Sequence, residues 1–365
     1  MPQLYSMFMK YSTSVVSDDG EIAFEFSKGV GRFPDRPTDS ELQAINDFVQ
    51  KTGRPEEHPD VCLARPDLGM EHVIVRSLDV PLEKRGTDHM AWCSVCGTWK
   101  FGEGRLVWCV GDGGLRTFGH DCSARLLGDD RWRAMNDEYT QREAAKDAEN
   151  YLMTSLLTLD DHAKSLETLE LLARQLEDAH KVLFTALPSL ANTLQRLDGK
   201  LEVTEERKAN TPAGFRSGGQ SSNFTTVLVG QLVGRKFLQK TFKPSSKIRQ
   251  AALDLRITKI NNETARVVAE DWILEFLIRH SEAELIEQAR RVRAAIRKAE
   301  SVKAFIHDAA KFCTAHNYEA IQRWALHPDS PVSSSFRLTS KGLSVREYGE
   351  VGSVLPYLQQ TTEGQ

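Results

Sequence analysis

Residues 92–128, WCSVCGTWKFGEGRLVWCVGDGGLRTFGHDCSARLLG, hold four of the six cysteines of this 365-residue chain. Cys93 and Cys96 are followed at once by Gly97, which lets the chain turn tightly beneath the two sulfur atoms. Two thiolates at this spacing can face one Zn2+ ion. The stretch therefore predicts a metal site at a tight turn.

The residues after this turn predict a β-hairpin and then a short helix. Apolar and polar residues alternate in RLVWCV and LRTF, and the glycine-rich turn GDGG lies between them. HDCSARLLG predicts a helix that begins near His120 or Asp121 and ends at Gly128. Cys122 would then lie in the first helical turn, where it is the predicted third ligand.

This order of knuckle, hairpin and helix resembles the treble-clef zinc fingers, and it is similar to short C-x2-C-G…G-x2-C modules of bacterial and phage proteins. The resemblance covers about 35 residues and carries no specific function. A treble clef usually takes its last two ligands from the start of the helix, but Arg125 stands three residues after Cys122 here. The fourth ligand stays open between His120 and Cys109, with His89 as a third candidate.

Four protein ligands would fill the tetrahedral shell of zinc and leave no position for water or substrate. We therefore expect a structural Zn2+ ion, whose binding energy of about 10 kcal/mol or more can fold a hairpin too small to fold alone. The alternative is an open, three-ligand site in a metal-dependent hydrolase or nuclease. Such a site needs a general base, for which Asp121 and Glu103 are the nearest candidates.

The composition is that of a globular protein, with 40% hydrophobic and 27% charged residues. The net charge of -4 excludes a uniformly basic nucleic-acid-binding protein. We find neither a signal-peptide pattern nor a run of about 18 apolar residues, so we expect a cytoplasmic protein with no membrane span. Cys62 and Cys313 stand apart from the cluster and are predicted to be small buried side chains.

The predicted fold is mainly α, with a smaller α+β part at the N-terminus. Two capping boxes begin helices, Thr38 with Glu41 and Ser281 with Glu284, and the first of these helices ends at Gly53. Five segments are expected: 1–90, a small α+β unit; 91–130, the zinc module; 131–206, a helical hairpin or coiled coil; 207–262, a basic Gly/Ser-rich loop and basic segment; and 263–365, C-terminal helices and a terminal β-hairpin.

Apolar positions follow one another at steps of four and three between residues 162 and 201, which is typical of a coiled-coil seam. Pro188 lies inside this run and predicts a kink or a break, so two antiparallel helices fit better than one straight rod. The seam would make a homodimer or bind a protein partner. Its positions are His162, Leu166, Leu169, Ala173, Leu176, His180, Leu183, Leu187, Leu190, Leu194, Leu197 and Leu201.

Residues 207–259 contain eleven Lys or Arg and one acid, whereas residues 160–206 contain five basic and ten acidic residues. Such an excess can follow a phosphate backbone while phenylalanines pack in the protein or stack on bases. Alternatively, the phenylalanines lie in the core and the cations pair with the acidic helices. The predicted nucleic-acid-binding residues are Arg216, Arg235, Lys236, Lys240, Lys243, Lys247 and Arg249, and a later helix adds Arg290, Arg291, Arg293, Arg297 and Lys298.

Three functions are compatible with these features. The first is a non-enzymatic zinc protein that binds nucleic acid through its basic segment. The second is a protein-interaction factor, such as an inhibitor or accessory protein of a phage or mobile element, that uses the helical seam. The third is the metal-dependent hydrolase or nuclease.

Overall fold

The computed structural model describes residues 28–85, 90–207, 223–258, 269–332, 334–346 and 352–358. The chain divides into two compact units, residues 1–147 and 148–365. Each unit encloses its own cluster of buried apolar side chains. The division into five segments is not tested by these two units and stays a prediction.

Unit 1 combines one long and one short helix with two small antiparallel sheets. One sheet has the strand order β1-β4-β5, and the other is the pair β2-β3. The hairpin predicted around GDGG is formed by β4 and β5, with Gly104 opposite Gly119 and Cys109 opposite Gly114. The elements of unit 1 are α1 (Asp39–Thr52), β1 (His72–Asp79), β2 (Ala91–Cys93), β3 (Thr98–Phe101), β4 (Glu103–Cys109), β5 (Gly114–Gly119), α2 (His120–Leu127) and the first part of α3 (Asp129–Glu167).

Local sequence explains both ends of α1. The side chain of Thr38 accepts a hydrogen bond from the backbone of Glu41, and the Glu41 carboxylate accepts one from the backbone N–H of Thr38 at 2.8 Å. Gly53 ends the helix in the left-handed conformation, at φ 68°. The same reciprocal cap, from Ser281 and Glu284, begins α8 in unit 2, so both predicted capping boxes are confirmed.

Unit 2 is mainly helical and also contains a two-stranded and a three-stranded antiparallel sheet. Its core is a continuous cluster of apolar side chains drawn from most of its helices. The elements after α3 are α4 (Glu170–Lys181), a π-helical turn (Val182–Ala186), α5 (Pro188–Arg196), β6 (Lys200–Arg207), β7 (Asn223–Gln231), a 3₁₀ turn (Arg235–Leu238), α6 (Pro244–Thr258), α7 (Ala269–Arg279), α8 (Glu282–Ala310), α9 (Ala315–Ala325), β8 (Ser335–Thr339), β9 (Gly342–Arg346) and β10 (Ser353–Pro356).

The predicted seam of residues 162–201 is interrupted in the structure, because the chain leaves the α-helix between Val182 and Leu187 and enters strand β6 at Lys200. Pro188 starts a new helix, which confirms the predicted break. Nine of the twelve seam residues are nevertheless buried, whereas His162, His180 and Leu197 are half-buried, and α4 packs on α6 and α8 within the same chain. The periodicity identified buried faces correctly, but it did not identify what they pack against.

Two other regions differ from their sequence interpretation. The part of segment 207–262 beyond residue 222 forms β7, a 3₁₀ turn and α6 as far as Thr258, where a loop and basic segment were expected. The predicted C-terminal hairpin forms between β8 and β9, and β10 adds a third strand to it. None of the helices in the described ranges is long and apolar enough to cross a membrane.

Candidate metal centre and basic surface

Cys93, Cys96 and Cys122 form the candidate metal centre, since their sulfur atoms lie within 4.8 Å of one another. Cys93 is the last residue of β2, and Cys96 lies in the turn before β3. Cys122 occupies the third position of α2, after the N-cap Gly119. Three ligands that are separate in sequence therefore meet where a turn and a helix start come together.

Backbone hydrogen bonds fix the turn that holds the first two cysteines. Gly97 has φ 68°, a conformation that favours glycine, and its N–H donates to the Cys93 carbonyl at 2.8 Å. The N–H of Gly119 donates to Cys93 Sγ at 3.3 Å. Ser94 attaches the turn to β5, because its N–H donates to the Thr117 carbonyl at 2.9 Å. The sulfur positions are thus set by backbone geometry.

The three thiols have unequal acidity in the absence of a cation. Burial raises the pKa of Cys93, and burial together with a hydrogen bond to Cys96 raises the pKa of Cys122 to about 12. Burial also acts to raise the pKa of Cys96, but hydrogen bonds from Thr98, Cys122 and Cys93 outweigh it, so this pKa is lowered. Ionisation of the Cys96 thiol is therefore favoured, whereas ionisation of the Cys93 and Cys122 thiols is opposed. A divalent cation removes that opposition, because it stabilises all three thiolates.

Cys109 does not belong to this centre. It pairs with Gly114, whereas Gly119, the residue before α2, lies at the other end of the hairpin. The distance from Gly114 to Gly119 along the strand is about 17 Å. Its side chain hydrogen-bonds to the guanidinium of Arg116, and burial raises its pKa to about 11. Cys109 is therefore placed too far from Cys122 to complete the site.

His120 also lies outside the sulfur cluster, although it is two residues from Cys122. Its ring packs edge-on against Trp132 with the centroids 5.7 Å apart, and burial followed by the charge of Arg105 lowers its pKa. His89 falls outside the described residues. Within the described part of the chain, no fourth His, Cys, Asp or Glu joins the three sulfur atoms.

A cavity of about 190 Å3 lies beside Cys122. Glu103, His120 and Asp121 line it, so both candidate general bases share a wall with one metal-ligand candidate. Lys100 lies on the same wall. Two carboxylates, one imidazole and one ammonium group therefore lie next to the sulfur cluster.

The basic surface of unit 2 is defined by Lys236, Lys240, Lys243, Lys247 and Arg249, which are all exposed. Among the ion pairs of the described residues, none includes any of these five side chains. Arg235 is different, because its guanidinium donates to Asp198 at 2.6 Å. Arg216 falls outside the described residues.

Phe305 of α8 lies beneath part of this surface. The ammonium nitrogen of Lys247 is 4.3 Å from the ring centroid, and that of Lys236 is 5.9 Å from it. Phe237 and Phe242 are buried in the core, as the alternative interpretation expected for the phenylalanines. Phe224 is 67% exposed, whereas Phe215 falls outside the described residues.

The basic residues of α8 are mostly engaged by partners. Arg290 and Arg291 both donate to Glu287, at 2.7 and 2.9 Å, and Lys298 donates to Asp254 at 2.5 Å. The guanidinium of Arg293 lies 4.3 Å from the ring centroid of Tyr151. These partners lie in α8 itself, in α6 and in α3, and none of them belongs to the acidic residues 160–206 that were expected to pair with the cations.

One group of residues could not be found from the sequence. A cavity beside the basic surface is lined by Gln231, Lys236, Gln239 and also by Lys311, which lies 75 positions after Lys236. The one local signal is Gly234, whose φ of 74° marks a tight turn.

Comparison with protein-family models, with curated proteins and with solved structures found no match. The function must therefore be argued from these sites alone.

Proposed function

We propose that this chain is a non-enzymatic zinc-binding protein that binds nucleic acid through its basic surface. The observation that carries the proposal is that Lys236, Lys240, Lys243, Lys247 and Arg249 are exposed and make no ion pair within the described ranges. An unpaired cation can release counterions from a phosphate backbone, whereas a cation already paired with a carboxylate must first lose that partner. The five residues lie within fourteen positions of the chain.

The zinc ion would have a structural role in this proposal. Thiolate ligands suit Zn2+, and the arrangement of knuckle, hairpin and helix start is the one expected of a treble-clef-like module. Because Cys109 lies at the far end of the hairpin, we propose His120 as the fourth ligand among the described residues. This requires the His120 ring to turn away from Trp132 and towards Cys122.

The test is binding of labelled DNA and RNA by fluorescence anisotropy at several salt concentrations. We expect log affinity to fall linearly with log salt, and we expect a slope shallower by about three to four when Lys240, Lys243, Lys247 and Arg249 are changed to Ala. Lys341→Ala is the matched control, because Lys341 is exposed in the turn between β8 and β9. No binding to either nucleic acid at about 50 mM salt would contradict the proposal.

Metal analysis tests the zinc part separately. We expect one equivalent of zinc in the purified protein, none in Cys93→Ser, and one equivalent in Cys109→Ser. A protein purified without chelators that contains less than about half an equivalent would refute the site.

The cavity beside Cys122 favours a second candidate, a metal-dependent hydrolase. Glu103 and Asp121 line this cavity and would serve as general bases for a water molecule on a three-cysteine zinc ion. Hydrolysis of phosphodiester or peptide substrates that is lost in Glu103→Gln or Asp121→Asn, with zinc content unchanged, would support it. An activity that survives both substitutions would exclude these bases.

The protein-interaction alternative depends on the seam of residues 162–201. Leu176, Leu183, Leu190 and Leu194 are fully buried within the chain, so they are not available to a partner without local unfolding. We therefore expect the protein to be monomeric at micromolar concentration by light scattering. A dimer that is lost on substitution of these leucines would restore the alternative.

A further inference from the structure

Unit 2 contains an open cavity of about 880 Å3 beside the basic surface. The turn from Gln231 to Gln239 forms much of its wall, and the last turn of α8 contributes Asp308, followed by Lys311. The volume falls within the range of about 300 to 1,000 Å3 that is usual for sites of small organic ligands. The proposed function uses only one residue of this cavity, Lys236.

The wall of the cavity is held rigidly. Asn317 is completely buried, its Oδ1 accepts the N–H of Val233 at 3.0 Å, and its Nδ2 donates to the Val233 carbonyl at 2.8 Å. Gly234 follows at φ 74°, and a Cβ atom at this position would lie 2.7 Å from the carbonyl oxygen of Asp308. The backbone at Val233 and Gly234 is therefore held by Asn317 and by close packing on Asp308.

The polar groups of the cavity carry both signs of charge. Lys236 and Lys311 are exposed cations that join no ion pair of the described residues, while Asp198 is neutralised by Arg235 at 2.6 Å. Asp308 adds a carboxylate to the same wall. A simple anion would meet this carboxylate as well as the lysines. The lining fits better a ligand that combines a phosphate with hydrogen-bond donors, because it offers ammonium groups to the first and a carboxylate to the second.

Two amide side chains extend this match. Gln231 and Gln239 are exposed at the wall, and each can donate and accept hydrogen bonds. A glutamine can bind the edge of a base with two hydrogen bonds, and a carboxylate accepts from the amino group of a base. Lysine side chains supply the usual contacts to phosphate.

We propose that this cavity binds one nucleotide, with its phosphate at Lys236 and Lys311 and its base edge at Asp308, Gln231 and Gln239. The inference rests on the proposed function, because Lys236 belongs both to the cavity and to the basic surface. A strand on that surface can place one unstacked base in the cavity and offer its Watson–Crick edge to these side chains, whereas in a duplex that edge is already paired. The protein therefore prefers single strands to duplexes.

The experiment compares a labelled single-stranded 12-mer, as DNA and as RNA, with the duplex of the same sequence, using the full chain with zinc. We expect the double variant Gln231→Leu/Asp308→Asn to weaken single-strand binding at least tenfold, to change duplex binding less than twofold, and to leave the salt slope unchanged. Lys311→Ala should weaken single-strand binding and lower the slope by about one unit. Lys341→Ala should change neither.

A second measurement follows binding of the four nucleoside 5′-monophosphates by calorimetry and by amide chemical shifts. We expect one or more of them to bind at millimolar concentration and to shift the amides of Gln231 to Gln239, and we expect the double variant to abolish both signals. Monophosphate binding without any preference for single strands would mean that the cavity serves a free nucleotide, and it would overturn the strand assignment.

Full single-strand affinity in the double variant, together with no monophosphate binding by the wild type, would overturn the inference while leaving the proposed function intact. Failure of the proposed function can be distinguished from failure of the cavity inference as well. If the four-residue Lys/Arg variant of the basic surface binds as well as the wild type, the proposed function fails, even if the cavity binds monophosphates. Thermal unfolding of each variant checks that lost binding is not lost folding.

Discussion

The candidate metal centre and the basic surface are built in opposite ways. The centre consists of buried or half-buried sulfur atoms whose positions are set by a glycine turn and a helix start, and ionisation of all three thiols would require a cation. The surface consists of exposed cations on a 3₁₀ turn, on α6 and on the segment between them, in a unit with a large apolar core of its own. The fold of unit 1 should therefore depend on its ligand, whereas unit 2 should fold without one.

This difference also decides what can be learned from each pattern. Metal ligands must meet at one point, so their spacing along local turns is strongly constrained. Surface cations have no such constraint, and their function depends on whether an acid lies nearby. A carboxylate that neutralises a cation can come from a distant part of the chain, as Asp198 does for Arg235.

Removal of the metal should have the largest effect among the tests of this difference between the two units. We expect a strong chelator to abolish amide hydrogen-exchange protection in the β2–β5 region and in α2, because structural zinc contributes about 10 kcal/mol or more to folding. Protection in α8 should be unchanged. Equal loss of protection in both units, or no loss in either, would contradict the proposed difference.

Acid should also destabilise unit 1 through His72, which is 5% exposed. Burial, followed by the charges of Arg131 and Arg116, lowers the pKa of His72 from 6.5 to about 4. The unfolded chain binds a proton at this residue near pH 6.5 and the folded chain does so near pH 4, so stability falls as the pH falls through this window. The expected loss is about 3 kcal/mol.

Chemical denaturation between pH 7 and pH 4 measures this loss. His72→Phe should flatten the pH dependence of unit 1, and its ring would also replace a buried Nε2 that has no hydrogen-bond partner among the described residues. His316→Gln is the control, because His316 is exposed in unit 2. An unchanged slope in His72→Phe would show that other groups cause the acid sensitivity.

The stability of unit 2 should depend on packing at Gly234. Gly234→Ala would place a Cβ atom 2.7 Å from the carbonyl oxygen of Asp308 in a backbone conformation with φ 74°. We expect a loss of about 2 kcal/mol in unfolding free energy that does not depend on zinc. Gly31→Ala is the matched control, because Gly31 has φ 73° and no atom near the added Cβ. A similar loss in both variants would mean that the backbone conformation alone matters.

The sequence was sufficient for the three cysteines because a C-x2-C-G turn and a helix start are local structures, and it was sufficient for both capping boxes for the same reason. It did not decide the fourth ligand. The choice depends on strand register, which places Cys109 opposite Gly114 and far from Cys122. Register is a long-range property that a local pattern does not determine.

The helical seam was predicted only in part for a related reason. Its spacing of three and four residues correctly predicts burial, since an apolar face must pack against something. Only the tertiary structure shows that α6 and α8 of the same chain cover it, and that Leu201 is buried as part of a strand. The excess of basic residues was likewise visible, but their pairing was not, and Lys311 of the cavity gave no local signal.

The smallest expected effect separates the two groups of cations in unit 2. Arg290 and Arg291 are exposed and share the carboxylate of Glu287, so both cations already have an acidic partner on the surface of the helix. Lys243 and Lys247 are equally exposed but have no ion-pair partner among the described residues. We expect Arg290→Ala/Arg291→Ala to change nucleic-acid affinity less than twofold and Lys243→Ala/Lys247→Ala to weaken it several times more at the same salt concentration. Both variants remove two positive charges, so a difference between them cannot come from net charge. Equal losses would mean that binding follows total charge, and the unpaired basic surface would lose its special role.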